Sequence, residues 1–318
     1  MIDIIIPVYN TPDLDLLRCL DSVKNQTYKE YKAIIIDDGS NKTTAKLLDD
    51  YCNSNPNFIV KHILNGGQSN ARNIGLVLSS SEYLTFLDSD DTLEPTFLEE
   101  ALKILVDNDL DMVVGGYNEI KDNKIKRIRK SEEGLHIYEG EDLDKYFDKL
   151  LSGKLCEDNK EIASTPTGRI YTKLYKRSII KDTIFDINIK ISEDTLFEID
   201  LMRNINRIGV VPNIWYNYYQ NDYSIVHKKL GQQELENLYD FMNEIYIRMI
   251  VENNHRIKNA YKMRIFKTCA DLEDTINNID NTFLDREIFK QVFKTIDITS
   301  YIDMKEKELT FYNKYDTI

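Results

Sequence analysis

Short apolar runs alternate with helically spaced apolar residues along the first third of the chain. Ile2–Ile6 is a β-branched run that reads as a strand stopped by Pro7. Leu14, Leu17, Leu20 and Val23 then recur at helical spacing. Ala33–Ile36 is a buried-strand pattern ending in Asp37-Asp38-Gly39-Ser40. A polar helix from Thr43 to Asn53 and a strand at Phe58–Ile63 come next. Gly66-Gly67 breaks the chain before a helix at Ser69–Leu78. Tyr83–Leu87 is a further strand, running into Asp88-Ser89-Asp90-Asp91. Pro95 suits the first turn of a helix reaching Val106, and Met112–Gly115 closes the series.

Strands that alternate with helices predict an α/β fold with right-handed crossovers and a mixed, mainly parallel sheet flanked by helices. Ligands of such sheets bind beyond the carboxyl ends of the strands. The polar clusters Pro7–Asn10, Asp37–Ser40 and Asp88–Asp91 all fall there. The middle is less regular. Helices are expected at Glu141–Leu151 and Glu193–Asn204, and an aromatic strand at Trp215–Tyr219. The basic cluster from Lys121 to Lys130 reads as a solvated hairpin or loop, with contact to anionic lipid or a polyanionic acceptor as a second reading. From Gly231 the character changes. Leu235, Leu238, Phe241, Ile245 and Met249 mark an amphipathic helix, with more helix to Phe293. The expected division is a catalytic domain over 1–230 and a C-terminal helical region over 231–318.

Composition narrows the function classes. Length (318 residues), 42% hydrophobic and 30% charged residues suit one large α/β domain with an appendage. Lys and Arg number 41 against 54 Asp and Glu, a net charge of −13 that repels a phosphate backbone and argues against general nucleic-acid binding. A nucleotide held locally with a metal ion remains compatible. Cys19, Cys52, Cys156 and Cys269 lack zinc spacing and read as free thiols of a reducing compartment. No apolar run approaches the roughly 20 residues of a membrane span, and no signal-peptide pattern opens the chain. A soluble, cytoplasmic protein is expected, with docking at the inner face of the plasma membrane left open.

Four clusters carry candidate chemistry. Three carboxylates in Asp88-Ser89-Asp90-Asp91 suit a solvated helix-capping turn or oxygen ligation of Mg²⁺ or Mn²⁺. Asp37-Asp38-Gly39-Ser40 suits a tight turn with a helix cap, or a carboxylate that accepts a hydrogen bond from a base. Tyr9 could pack or stack on a base. Arg72, within Asn65-Gly66-Gly67-Gln68-Ser69-Asn70-Ala71-Arg72-Asn73, could form a surface ion pair or grip a phosphate.

Together these clusters, in this order, resemble the inverting glycosyltransferases of family 2, whose nucleotide-sugar-binding fold is called GT-A. The segments DIIIPVYN, IIIDDGS, NGGQSNARNIGL and YLTFLDSDD carry the resemblance, joined by KLYKR at Lys173–Arg177 and ISEDTLF at Ile191–Phe197. It covers about residues 1 to 225. The resemblance implies that Pro7 and Tyr9 line a uracil pocket and that Asp38 binds the uracil ring nitrogen. It implies that Asn65 and Arg72 hold the nucleotide and that Asp88, Ser89 and Asp90 form the Asp-x-Asp contact with a UDP-sugar. Asp90 would bind Mn²⁺ or Mg²⁺ on the diphosphate, with Asp91 assisting. Asp194 would be the general base, beside Glu193. The acceptor would be a hydroxyl of a glycan or a lipid-linked glycan.

The chemistry is coherent. A metal offsets charge growing on the leaving diphosphate, a carboxylate takes the acceptor proton, and one displacement inverts the anomeric centre. One departure stands out: where the family often has a loop arginine, this chain has Tyr219-Gln220. Ser224 fits the pattern, and His227, Lys228 or Lys229 could supply charge, His227 also as a metal ligand. The C-terminal helices would serve acceptor docking or self-association. Two other readings compete. One is a haloacid-dehalogenase-like phosphatase with Asp88 as nucleophile, Asp90 as acid/base and Thr92 third; the other is a nucleotide-sugar-binding protein without turnover.

Overall fold

The computed structural model describes residues 1–131, 134–152, 169–220 and 232–276. Among these, ten strands form one sheet: β1 (Ile2–Val8), β2 (Tyr31–Asp37), β3 (Phe58–His62), β4 (Tyr83–Phe86), β5 (Thr92–Leu93), β6 (Met112–Lys121), β7 (Lys124–Arg129), β8 (His136–Glu139), β9 (Lys173–Lys176) and β10 (Arg207–Tyr219). The order is β3-β2-β1-β4-β9-β6-β10-β5, with β7 on β6 and β8 on β10. Pairings β1–β2, β2–β3, β1–β4 and β6–β10 are parallel. Antiparallel β9 separates β4 from β6, so these two also share a direction. Six strands therefore end on one side, and the polar clusters lie on that side.

Among the described residues eight α-helices cover the sheet: α1 (Asp13–Lys24), α2 (Lys42–Ser54), α3 (Gln68–Leu78), α4 (Phe97–Asp107), α5 (Gly140–Ser152), α6 (Glu193–Leu201), α7 (Gln232–Val251) and α8 (His255–Ile276). β1 shows why both faces are needed. Ile4 and Ile6 join α1, α2 and α4 in one core, while Ile5 points to the other, with α3 and α5 to α8. A strand buried on both faces reads as a continuous apolar run rather than an alternation. Asp3 interrupts that run because its carboxylate accepts the backbone N–H groups of Ser80 (2.6 Å) and Ser81 (2.7 Å), bracing the turn before β4.

Several elements depart from the sequence expectation. β1 continues through Pro7 to Val8. Ile5 O accepts from Leu87 N, so Pro7, two residues on, turns its missing donor toward β4 just where β4 has ended. α4 starts at Phe97; Pro95 stays outside it, its carbonyl accepting from Thr27 N. β6 runs on to Lys121 and β10 begins at Arg207, because each completes the other's ladder. The helix at 193 is α-helical to Leu201 and ends in a 3-10 turn. The helix expected to run on to Phe293 falls, past Ile276, outside the described residues.

α7 and α8 are not a separate layer. Phe241, Ile245, Ile257, Tyr261 and Ile265 share one core with Phe86, Tyr175 and Phe197 of the sheet and α6. No helix among the described residues is long and apolar enough to cross a membrane.

Gly115 marks the tightest packing of β6 against β10. A Cβ there would meet the Trp215 ring at 2.2 Å. Trp215 is fully buried, donates from Nε1 to Glu100 (2.9 Å) and lies 5.3 Å from Phe97. Gly115→Val should therefore cost about 1–3 kcal/mol through overpacking, measured as a lowered urea midpoint; an unchanged midpoint would mean that this interface can yield.

Candidate active site

The first two loops are stitched together. Asn10, at positive φ (50°), donates its N–H to Ser40 Oγ (3.0 Å), and its Oδ1 accepts from Asn41 N (2.8 Å). Asn41, rather than Asp38 or Ser40, caps α2: its side chain accepts from Thr43 N and Thr44 N. Gly39, at φ +77°, passes so close to Asn65 that a Cβ would meet Asn65 N at 2.8 Å. Asp38 is buried, and its two oxygens accept the backbone N–H groups of Gly66 and Gly67, each at 2.8 Å. Asn65 Nδ2 returns a bond to Asp38 O (3.0 Å). Asp38 and Asn65 thus shape the glycine loop. Tyr9 stands at the strand end with 56% exposure, while Pro7 lies buried in β1.

The acidic loop is held on three sides. Ser89 and Thr11 share a hydroxyl hydrogen bond (2.6 Å). Arg18 donates to Asp90 O (2.8 Å), and its guanidinium lies 3.7 Å from the centre of the Tyr219 ring. Asp91 departs from its expected role as a metal ligand. It is 1% exposed, and its oxygens accept from the Tyr216 hydroxyl (2.6 Å) and the Tyr219 N–H (2.8 Å). Burial, then Asp90 and Asp88, push its carboxyl well above the usual range. Asp91 is therefore the anchor of the loop on β10, turned away from solvent.

Arg72 joins the remaining motifs. Its Nη2 donates to Asp88 Oδ1 and its Nη1 to Glu193 Oε1, both at 2.9 Å, from a side chain 3% exposed. Burial alone would lower its pKa, but Asp88, Glu193 and Asp194 raise it above the usual value. Gln68 donates to the same Asp88 oxygen (3.2 Å). Burial and then Asp194 push the Glu193 carboxyl upward, with Arg72 opposing. A surface ion pair is thus ruled out for Arg72; it is a buried bridge between acids 105 positions apart.

The Glu193-Asp194 segment is fixed from below and behind. Phe185 stacks on Phe197 (4.0 Å) and meets Phe86 edge-on. Asn73 of α3 makes two bonds to the Phe185 backbone, each 2.8 Å. Ser192, just before α6, makes no capping hydrogen bond with its side chain. Instead it adopts φ 57°, and its hydroxyl accepts from Arg264 of α8 (2.8 Å). Asp194 Oδ1 accepts from Thr195 N (2.7 Å). Arg248 of α7 pairs with Asp186, Asp200 and Glu244.

The structure therefore gathers Asp38, Asn65, Arg72, Asp88, Ser89, Asp90, Glu193 and Asp194 around the carboxyl ends of β1, β2 and β4. Ser224 and His227, with Lys228 and Lys229, lie outside the described residues. Arg18, Gln68, Tyr216 and Arg264 join the site without having been singled out. Arg18 sits at i+3 from Asp15 and pairs with it (2.8 Å), so in sequence it looks like an ordinary helix-surface ion pair. No three metal-binding side chains converge among the described residues.

Sheet and site together define a class: an α/β protein whose acids gather where parallel strands end, bridged by one buried arginine. The family model for glycosyl transferase family 2 matches residues 3–181, more than half of the chain. The chain belongs to that family. The match overturns the phosphatase reading of Asp88 and Asp90. Glycosyltransferase GlyA of Streptococcus pneumoniae is 31% identical over 196 residues, which cover 61% of this chain and 27% of GlyA. The poly(ribitol-phosphate) β-N-acetylglucosaminyltransferase TarP of Staphylococcus aureus is 28% identical over 282 residues, 84% of this chain and 79% of TarP. The S. aureus TarS 1-349 crystal structure superposes with a TM-score of 0.68 at 18% identity, covering 92% of this chain and 79% of that one. TarS 1-349 in complex with UDP-GlcNAc superposes at 0.63, with 20% identity, 89% of this chain and 74% of that one. The fold is the GT-A fold, similar to that of TarS, and the relatives include two poly(ribitol-phosphate) glycosyltransferases.

Arg72→Ala should leave Asp88 and Glu193 facing each other without a cation. The expected loss is about 2–3 kcal/mol near neutral pH, below the roughly 3–5 of a fully buried pair, because the Asp88 side chain keeps 25% exposure. Glu193 already has a raised pKa in the folded state. Removing the cation raises it further, so protonation relieves the strain as pH falls. Denaturation midpoints of variant and parent should converge on acidification; a constant gap would exclude this pair as the cause.

Proposed function

We propose that the chain transfers a sugar from a UDP-sugar to a hydroxyl of an anionic cell-surface polymer or related glycan, by metal-assisted direct displacement with inversion. The observation that carries this reading is the Arg72 bridge, which brings the Asp88 loop and the Glu193-Asp194 pair to one place. A diphosphate and an acceptor hydroxyl need groups of those two kinds on opposite sides of one anomeric carbon. The TarS complex with UDP-GlcNAc supports a UDP-sugar donor, and the poly(ribitol-phosphate) acceptor in the name of TarP supports a polymer acceptor.

Roles follow from the geometry. The Gly66-Gly67 backbone, held open by Asp38, forms a surface a nucleotide can approach closely. Tyr9 is exposed just past the end of β1 and can stack on the base. Arg18 and Arg72 place positive charge at the acidic loop, where this chain has Tyr219-Gln220 in place of the family's frequent loop arginine. Glu193 is committed to Arg72, which leaves Asp194 to take the acceptor proton. The donor set fits a divalent ion: Asp88 and Asp90 offer hard oxygens, and Mg²⁺ or Mn²⁺ takes one or two carboxylates and completes its shell with substrate phosphates and water. When bound, the ion would offset charge on the departing diphosphate.

A panel of nucleotide-sugars with and without Mn²⁺, Mg²⁺ and chelator tests the reading. Asp194→Asn should lower transfer by roughly 10²–10⁴-fold while UDP binding, read by thermal shift, persists. Asp90→Ala should abolish the metal-dependent part of UDP binding. Full transfer by Asp194→Asn would remove it as the base; metal-independent transfer by the parent protein would remove the ion.

A further inference from the structure

The β6–β7 hairpin has a feature that the active site does not use. Between residues 121 and 130, six are Lys or Arg and one is acidic, in a chain of net charge −13. The hairpin is tight: Asp122 and Asn123 form its tip at φ 52° and 56°. Its register contains a bulge. Asn118 faces Ile128 and Glu119 faces Arg127, but Ile120 faces Ile125, so Lys126 is the extra residue. Ile125 and Ile128 are three apart and would point to opposite faces of a regular strand. The bulge puts both on the face of Ile120, and it gathers Lys124 and Arg127 on the other face with Lys121, where Arg129 pairs with Glu119 (3.2 Å).

The apolar face is open. Ile125 is 57% exposed and Ile128 is 51% exposed. Among the described residues β7 pairs with β6 alone. An edge strand with aligned, exposed isoleucines is an aggregation hazard unless something covers it. The hairpin also stands next to the site. Ile120 pairs with Tyr219, whose N–H holds Asp91, and Gln220 N donates to Ile120 O (2.8 Å).

We propose that this hairpin docks on an anionic lipid surface, with Ile120, Ile125 and Ile128 entering the headgroup boundary and the Lys and Arg side chains reaching lipid phosphates. An anionic polymer in solution would be met by the charges alone. Isoleucines aligned by a bulge add an apolar component that a bilayer satisfies. Long basic side chains on the opposite face of a thin hairpin can snorkel back to the headgroups. Docking here holds the mouth of the active site at the membrane.

Co-sedimentation of the full chain with vesicles tests this. The protein should pellet with mixed phosphatidylglycerol–phosphatidylcholine vesicles, stay in solution with pure phosphatidylcholine, and be released by salt. Ile125→Ser/Ile128→Ser and, separately, Lys124→Glu/Arg127→Glu should each weaken vesicle binding on the order of tenfold, with melting temperature and UDP-induced stabilisation unchanged. A parent protein indifferent to phosphatidylglycerol, or either variant binding like the parent, overturns the proposal. If only the charge variant loses binding, and inorganic polyphosphate competes for it, the hairpin is a polyanion site instead.

Discussion

One buried guanidinium holds the site together. Arg72 lies on α3, the acid it meets through Nη2 follows β4, and the acid it meets through Nη1 opens α6. None of these elements is adjacent in sequence to all the others. Without the cation, Asp88, Glu193 and Asp194 would crowd one half-buried space, and like charges at such separations repel strongly where water is scarce. With it, two acids are neutralised and oriented in a single fork. The Phe86, Phe185 and Phe197 rings beneath keep the guanidinium and the 185–193 segment in register.

β10 is the second fixed point. Tyr216 and Tyr219 take both oxygens of Asp91, and Asn217 donates to Thr92 of β5 and to Glu94 just after it. The acidic loop is thus pinned at its end by Asp91 and at its start by Arg72, which leaves Asp90 between two immobilised neighbours. A loop carrying three acids gains order by turning one inward and bridging another. α7 and α8 extend the same logic to the other carboxylates. Arg264 holds Ser192 and Arg248 holds Asp186 and Asp200, so helices beyond the family match brace the segment that carries Glu193 and Asp194.

Much of this was legible in the chain. Apart from the two-residue β5, the strand and helix order to residue 115 appears because both-face burial writes continuous apolar runs, and glycines and aspartates punctuate them. The acidic and glycine-containing motifs were visible as clusters for the same local reason. β9 was not seen as a strand: four residues, Lys173–Lys176, with a lysine at each end, look like loop. Lys173 is nonetheless fully buried and pairs with Glu198 of α6, a contact invisible until the sheet is assembled. The roles of Arg18 and Arg264 were hidden too, since each sits on a helix whose spacing suggests an exposed or ordinary face.

Local pattern alone laid out the parallel half of the sheet and the acids near strand ends, because those depend on periodicity and turn chemistry within a few residues; the family came from the order of whole motifs along the chain. Tertiary structure decided which acid faces inward, which arginine bridges and which isoleucines share a face. Hydrogen-bond geometry, burial and one bulged residue set those outcomes, and they exist only once distant segments are brought within a few ångströms of each other.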